Sequence, residues 1–318
     1  MTQAKLDTRS ITESIVGLIT NIEKVIVGKR GAVERVTAAL LSGGHVLLED
    51  RPGVGKTMLA RALARSIDLP FKRIQCTPDL LPVDITGYFD PRTGQFKSGP
   101  IFANIVLGDE LNRATPRTQS ALLEAMGEGQ VSVEGRTFEL PRPFLLIGTQ
   151  NPLEYRGVND LPEAQLDRFQ MLLSPGYPSE EQEREVLARR QAQDPIDSLG
   201  RVLDGPRVLE LMQAVRQVTL KESLLAYVVR LVRRTRESSE LIMGASPRAG
   251  LTLMHLARAH ALIQGRPYVV PDDIRDLAPY VLAHRVMPRS SPDGGQSLTE
   301  WRQQLVQSIV EEVKPLES

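Results

Sequence analysis

Glu49-Asp50-Arg51-Pro52-Gly53-Val54-Gly55-Lys56-Thr57 follows the apolar run His45-Val46-Leu47-Leu48 and precedes Met58-Leu59-Ala60-Arg61-Ala62-Leu63-Ala64, a good helix former. Strand, glycine turn and helix in that order read as a phosphate-binding loop. Glycines let backbone N–H groups close around phosphates, and the helix N-terminus adds its partial positive charge. The lysine reaches the β/γ-phosphates of a nucleoside triphosphate, and the threonine hydroxyl goes to Mg²⁺. Those roles fall to Gly53, Gly55, Lys56 and Thr57, with Pro52, Val54 and Met58 completing the expected nucleotide-binding stretch. The pattern asks for glycine at position 50, where this chain has Asp50; its carboxylate must point away from the loop mouth or the turn is altered. The bland alternative is a Gly-Lys-Thr helix start without a ligand, which the flanking strand and helix disfavour.

A chain of 318 residues is too long for one ordinary core and suggests about two domains. Lysine plus arginine balance aspartate plus glutamate at 39 each, so bulk charge gives no footprint for nucleic acid or an anionic membrane. The one cysteine, Cys76, rules out an intrachain disulfide and reads as a small apolar packing residue. No window nears twenty apolar residues, and Lys5, Asp7, Arg9 and Glu13 interrupt any signal-peptide core, so a soluble chain of the reducing cytoplasm is expected.

Helical spacing runs from Ile11 to Ile26 and again from Gly31 to Leu41. Short apolar strands at His45–Leu48, Phe71–Gln75, Ile105–Gly108 and Phe144–Gly148 then alternate with helices, the pattern of a doubly wound α/β parallel sheet buried on both faces. Thr77 to Pro100, with four prolines, reads as an irregular insertion, and Gln130 to Leu140 as a β-hairpin around Glu134-Gly135. After Ser174-Pro175-Gly176-Tyr177-Pro178 no strand signal persists. Helices are expected near 180–191, 205–218, 221–238, 248–263, 271–284 and 299–313, an all-helical lid over residues 177–318 beside an α/β domain over 1–176.

Ile105-Val106-Leu107-Gly108 delivers Asp109 and Glu110 to the carboxyl end of a strand, where ligands of this fold sit. Asp109 is expected at Mg²⁺ and Glu110 at the attacking water. A further strand ends in Thr149-Gln150-Asn151-Pro152, where the Asn151 amide suits the water or the γ-phosphate and is equally an ordinary turn residue. Arg168, at the end of Leu161–Phe169, is a candidate guanidinium for a neighbouring subunit's transition state or half of an intrahelical pair. Ser246 and Pro247 start a lid helix from which Arg248 would reach the phosphates.

These motifs, in this order, together with Gly99-Pro100-Ile101-Phe102, Leu111-Asn112-Arg113-Ala114 and Thr118-Gln119-Ser120-Ala121-Leu122-Leu123-Glu124-Ala125-Met126, make residues 10–290 resemble an AAA+ ATPase of the MoxR family. The resemblance implies a P-loop NTPase core with a helix-2 insert at 77–100 and a hairpin before sensor 1 at 130–140. It also implies Asn151 as sensor 1, Arg168 as a trans arginine finger, Arg248 as sensor 2, and Val27 and Gly28 at the adenine, bordered by Pro271-Asp272-Asp273. It further implies an ATP/ADP cycle with Mg²⁺, a homo-oligomer of six, and chaperone-like work on a client protein, frequently beside a von Willebrand factor A domain partner. Two departures matter: Asp50, and Gly157-Val158-Asn159-Asp160 where relatives usually carry Gly-Thr-aromatic. A nucleic-acid motor, favoured by Arg230, Arg233, Arg234 and Arg236 but not by the neutral charge, and a nucleotide-gated scaffold with little turnover are the competing readings.

Overall fold

The computed structural model describes residues 7–49, 53–151, 159, 161–190, 194–292 and 297–315. Asp50 and Pro52 of the loop, and Gly157, Val158 and Asp160 of the second departure, lie outside them.

Helices α1 (Thr8–Glu23) and α2 (Arg30–Ser42) come first, and Gly43 ends α2 in a left-handed cap at φ +75°. Strand β1 (Val46–Glu49) leads to α3 (Lys56–Ser66) and β2 (Phe71–Gln75). The insertion is more ordered than its prolines suggest: α4 (Pro82–Thr86) is followed by a ribbon of β3 (Gly87–Phe89) and β4 (Phe96–Ser98). Next come β5 (Ile105–Asp109) and α5 (Pro116–Glu128), which starts on Pro116 with Thr115 as N-cap. The hairpin of β6 (Gln130–Val133) and β7 (Arg136–Glu139) turns at Glu134-Gly135, both at positive φ as the tight turn requires. Strand β8 (Leu145–Gln150), a single-turn α6 (Glu163–Leu166) and β9 (Met171–Leu173) complete this half.

The sheet runs β2-β5-β8-β1-β9 with every pair parallel. Its fifth strand, β9, escapes the sequence pattern because only three buried residues separate Gln170 from Ser174. Side chains alternate between faces. Val46, Leu48, Ile105, Leu107, Leu145 and Ile147 join the cluster containing α1, α2 and α3, while Leu47, Ile74, Val106 and Leu146 join one containing α5, the insertion and the hairpin. On that second face Phe96 stacks on Phe138 with centroids 4.0 Å apart, and Phe89 and Phe102 complete an aromatic clasp between ribbon and hairpin. Cys76 is buried there, and burial together with Asp109 and Glu110 pushes its thiol up to about 12, so it packs rather than reacts.

The C-terminal part is helical: α7 (Glu180–Arg190), α8 (Gly205–Gln217), α9 (Glu222–Glu237), α10 (Pro247–Ile263), α11 (Pro271–Leu282) and α12 (Leu298–Glu312). It also holds a ribbon that its composition does not announce, β10 (Leu241–Met243) antiparallel to β11 (Met287–Pro288). Helix α10 lies against α2, α8, α9 and α11, so the apolar cluster of the α1–α3 face continues unbroken into these helices. Among the described residues no helix is long and apolar enough to cross a membrane.

Candidate active site

Gly53 and Gly55 adopt φ +85° and +91°, and nothing lies within 4 Å of a Cβ built on either, so backbone conformation alone demands glycine there. Gly55 is the N-cap of α3, and no side chain caps that helix. An anion at this helix start would meet its first amides beside Lys56 and Thr57.

Alternation in β2, β5 and β8 sends Arg73, Gln75, Asp109 and Thr149 to the same face as α3. There they form one hydrogen-bonded group. Thr149 Oγ1 donates to Asp109 Oδ1 at 2.6 Å and accepts from the Glu110 amide at 2.9 Å. Arg73 donates to Asp109 Oδ2 from Nε at 3.0 Å and Nη2 at 2.6 Å. Glu110 Oε2 accepts from Gln75 Nε2 at 2.8 Å and Arg113 Nη1 at 3.0 Å. Glu110 itself sits at φ +56°, ψ +52°, a left-handed conformation costing a non-glycine residue of order 1 kcal/mol, maintained by these bonds to backbone and side chain. Asn151, buried just beyond β8, takes its place at the same edge of the sheet, with Asn112 Nδ2 3.5 Å from its carbonyl oxygen.

Around this centre, Gly28 turns the chain between α1 and α2 at φ +70°, and a Cβ there would stand 2.1 Å from Gln182 Cδ on α7. Val27 is half-buried beside it. Lys29 Nζ donates to three successive carbonyls, Pro175 at 2.7 Å, Gly176 at 3.0 Å and Tyr177 at 2.9 Å, pinning the joint between the two halves of the chain. Arg248 is exposed in the first turn of α10. Arg168 lies just past α6 on the other side of the sheet, its Nη1 donating to the Leu123 carbonyl of α5; Gly127 makes room, since a Cβ there would come within 2.7 Å of that nitrogen.

A family model described as "ATPase family associated with various cellular activities (AAA)" matches residues 45–171, and one described as "AAA lid domain" matches 233–308. Uncharacterized protein YeaC of Bacillus subtilis is 48% identical over 302 residues, 93% of each chain. Chaperone MoxR1 of Mycobacterium tuberculosis is 44% identical over 282 residues, 85% of this chain and 74% of that one. The chain belongs to the MoxR family of AAA+ ATPases. A crystal structure of a provisionally named ATPase from Cytophaga hutchinsonii superposes with a TM-score of 0.87 at 36% identity, covering 98% of this chain and 97% of the other. This MoxR-family protein is accordingly a nucleotide-binding, ATP-hydrolysing enzyme with a P-loop AAA core and a helical lid.

Several residues that build this MoxR-family site carry no motif. Arg73 and Gln75 sit on an edge strand, and their only sequence signal is polarity at alternate positions. Asp167 and Arg285 form an ion pair at 2.7 Å in which the arginine side chain is 2% exposed; burial lowers the Arg285 pKa and the Arg248 charge adds to this, while Asp167 opposes both. The acidic pair after Pro271 is structural at Asp273. Burial alone would raise its pKa, but bonds from Arg266 at 2.7 and 2.5 Å and from His260 at 2.7 Å hold it below the ordinary value, and it accepts the Val270 amide at the start of α11. The arginines of α9 are engaged within the chain. Arg230 donates to the Lys314 carbonyl, Arg234 to Glu312 and Arg236 to the Ala245 carbonyl, while Arg233 lies 4.0 Å from Glu237.

Proposed function

We propose that this ATPase works as a homo-oligomeric ring, six subunits by family likeness, that couples Mg²⁺-dependent ATP hydrolysis to chaperone-like remodelling of a client protein. The observation that carries it is the separation of Arg168 from its own P-loop. Lys56, Thr57, Asp109, Glu110 and Asn151 gather at one edge of the sheet beside α3, whereas Arg168 rests on α5 on the opposite face. An arginine so placed suits the site of an adjacent subunit.

Within one site, amides of the Gly53–Gly55 turn and Lys56 bind the phosphates, Glu110 orients and deprotonates the attacking water, Asn151 holds that water against the γ-phosphate, and Arg248 binds from the lid. Val27 and Gly28 pack beside the base. The Thr57 hydroxyl and the Asp109 carboxylate are hard oxygen donors of the kind Mg²⁺ takes beside nucleotide phosphates. Among the described residues no cluster of three or more His, Cys, Asp or Glu could hold an ion alone, which fits an ion completed by the substrate. When bound, Mg²⁺ would neutralise charge on the phosphate oxygens.

The domain boundary falls near Gly176, at the joint that Lys29 pins. Exposed Leu81, Val83 and Tyr88 on the insertion, steadied by the aromatic clasp, support a contact surface for a client or a von Willebrand factor A domain partner. The engaged arginines of α9 speak against a nucleic-acid motor, and the equipped Glu110 against a passive scaffold. The lone buried cysteine suits the cytoplasm.

Mixing Glu110→Gln subunits, which keep a finger but no base, with Arg168→Ala subunits, which keep a base but no finger, tests the shared site. Turnover regained in co-assembled mixtures supports it; co-assembly without turnover contradicts it.

A further inference from the structure

Glu49 is the last residue of β1, shortly before Gly53, and stands in register with Gln150, the last residue of β8 and the neighbour of Asn151. Alternation turns both side chains to the face of Leu47 and Leu146, away from Thr149 and Asp109. There one carboxylate holds two elements. Glu49 Oε2 accepts from Gln150 Nε2 at 2.8 Å, and Oε1 accepts from the hydroxyl of Thr299 in the first turn of α12. The two strand ends that deliver the phosphate loop and Asn151 are thus joined to each other and to the last helix of the lid.

Thr299 is not occupied as a cap. The Ser297 hydroxyl already caps α12, accepting the Glu300 amide at 3.1 Å, yet Thr299 is only 3% exposed. One turn on, Arg302 is attracted to Glu49 and Glu163, and its buried Nε meets no hydrogen-bond partner among the described residues. Gln303 Nε2 donates to the Leu172 carbonyl at 3.4 Å, on the edge strand β9. Beyond this turn α12 belongs to the lid. Leu305, Val306, Ile309 and Val310 are buried in the apolar cluster shared with α9, α10 and α11, and Arg234 of α9 meets Glu312 at 2.7 Å. A shift of β1 or β8 at the nucleotide end of the sheet therefore passes through Glu49 to the start of a helix that is packed on the rest of the lid.

We propose that Glu49 is a positioning residue, setting the gap between the phosphate loop and Asn151 and reporting it to α12 through Thr299. This rests on the reading of Asn151 and of the Gly53–Gly55 turn given above. A γ-phosphate bound between them draws on both strand ends, whereas a diphosphate leaves Asn151 without its ligand, so the two nucleotides bias the Glu49–Thr299 contact differently. Glu49 faces the other side of the sheet and acts only through Gln150, Thr299 and the backbone that follows it.

Trp301, the one tryptophan of the chain, is half-buried two residues past Thr299 and serves as the reporter. The full chain is titrated with Mg²⁺ and either ADP or the imido-bridged ATP analogue AMP-PNP while Trp301 emission is recorded. Calorimetry gives nucleotide affinity and light scattering gives particle mass on the same samples. At saturation the parent should emit differently with the two nucleotides. Thr299→Val, which keeps the shape and removes the hydroxyl, should cut that difference about fivefold at equal particle mass, and Thr299→Ser should retain it. Glu49→Gln, whose amide cannot accept from both donors, should act as Thr299→Val does, and decides the matter should the valine variant melt early. Equal emission for the two nucleotides in the parent, or an undiminished difference in Thr299→Val and Glu49→Gln, would overturn the report to α12 while leaving the ATPase reading in place. Failure of the parent to bind either nucleotide would remove that reading, and the proposal with it.

Discussion

The guanidinium of Arg73 holds one oxygen of Asp109, Oδ2, through Nε at 3.0 Å and Nη2 at 2.6 Å. A cation bound by Asp109 must share that carboxylate with Arg73. The arginine side chain is 49% exposed and the pair is correspondingly weak, of order 0.7 kcal/mol. Arg73→Met should therefore lower the Mg²⁺ concentration for half-maximal turnover by about threefold. A magnesium titration of turnover reads this directly, and an unchanged or raised midpoint would mean that Arg73 supports the carboxylate rather than competing for it.

Glu110 is held for its task by Gln75, Arg113 and the Thr149 hydroxyl. Glu110→Gln keeps the length of the side chain and loses the base. Nucleotide binding should persist while turnover falls by about a hundredfold or more. Binding by fluorescence and phosphate release on the same preparation give the two numbers, and normal turnover would take Glu110 out of the reaction.

His45 is buried at the start of β1, with Nδ1 accepting the Leu146 amide at 3.0 Å and Nε2 3.2 Å from the Met126 carbonyl. Burial pushes its pKa from 6.5 down to about 4, against the raising effect of the Met126 bond. Between those values the unfolded chain binds a proton that the folded chain refuses. The stability present above pH 6.5 is lost as pH falls towards 4, at about 1.4 kcal/mol per pH unit and roughly 3 kcal/mol in all. His284, also buried and lowered, adds to the same slope. Urea unfolding from pH 7 to pH 4.5 should show the full slope in the parent chain and one proton less in His45→Gln; parallel curves would refute the assignment.

Lys29 gathers the carbonyls of Pro175, Gly176 and Tyr177 directly after the Val27-Gly28 turn. Lys29→Met should free that joint, raising amide exchange at Gly176 and Tyr177 by about tenfold, the size of one charged hydrogen bond near the surface. Exchange measured by mass spectrometry, with α10 as an internal reference, tests it; equal exchange in both chains would show that packing alone holds the joint.

How far the sequence could be read depended on the length scale of each signal. Strands β1, β2, β5 and β8, the hairpin and the long helices were legible because apolar periodicity and caps act within a few residues. Strand β9 and the β10–β11 ribbon were not, being two or three residues long and specified by the partners they meet. The P-loop, Asp109 and Glu110 carry their chemistry in contiguous motifs. Arg73 meets Asp109, and Ser246 meets Asp167, only because the fold brings together positions 36 and 79 residues apart. Pro271-Asp272-Asp273 reads either as a border of the adenine pocket, by family resemblance, or as packing and capping, and Asp273 accepts the Val270 amide at the start of α11 within a buried network with Arg266 and His260.

The central claim is a catalytic centre completed by a second copy of the chain. ATP turnover per subunit, measured with Mg²⁺ across a protein dilution series while light scattering follows particle mass in the same samples, tests it most directly. A shared site predicts that specific turnover climbs with the fraction of subunits in rings and vanishes in the monomer. Constant specific turnover from ring to monomer would contradict it.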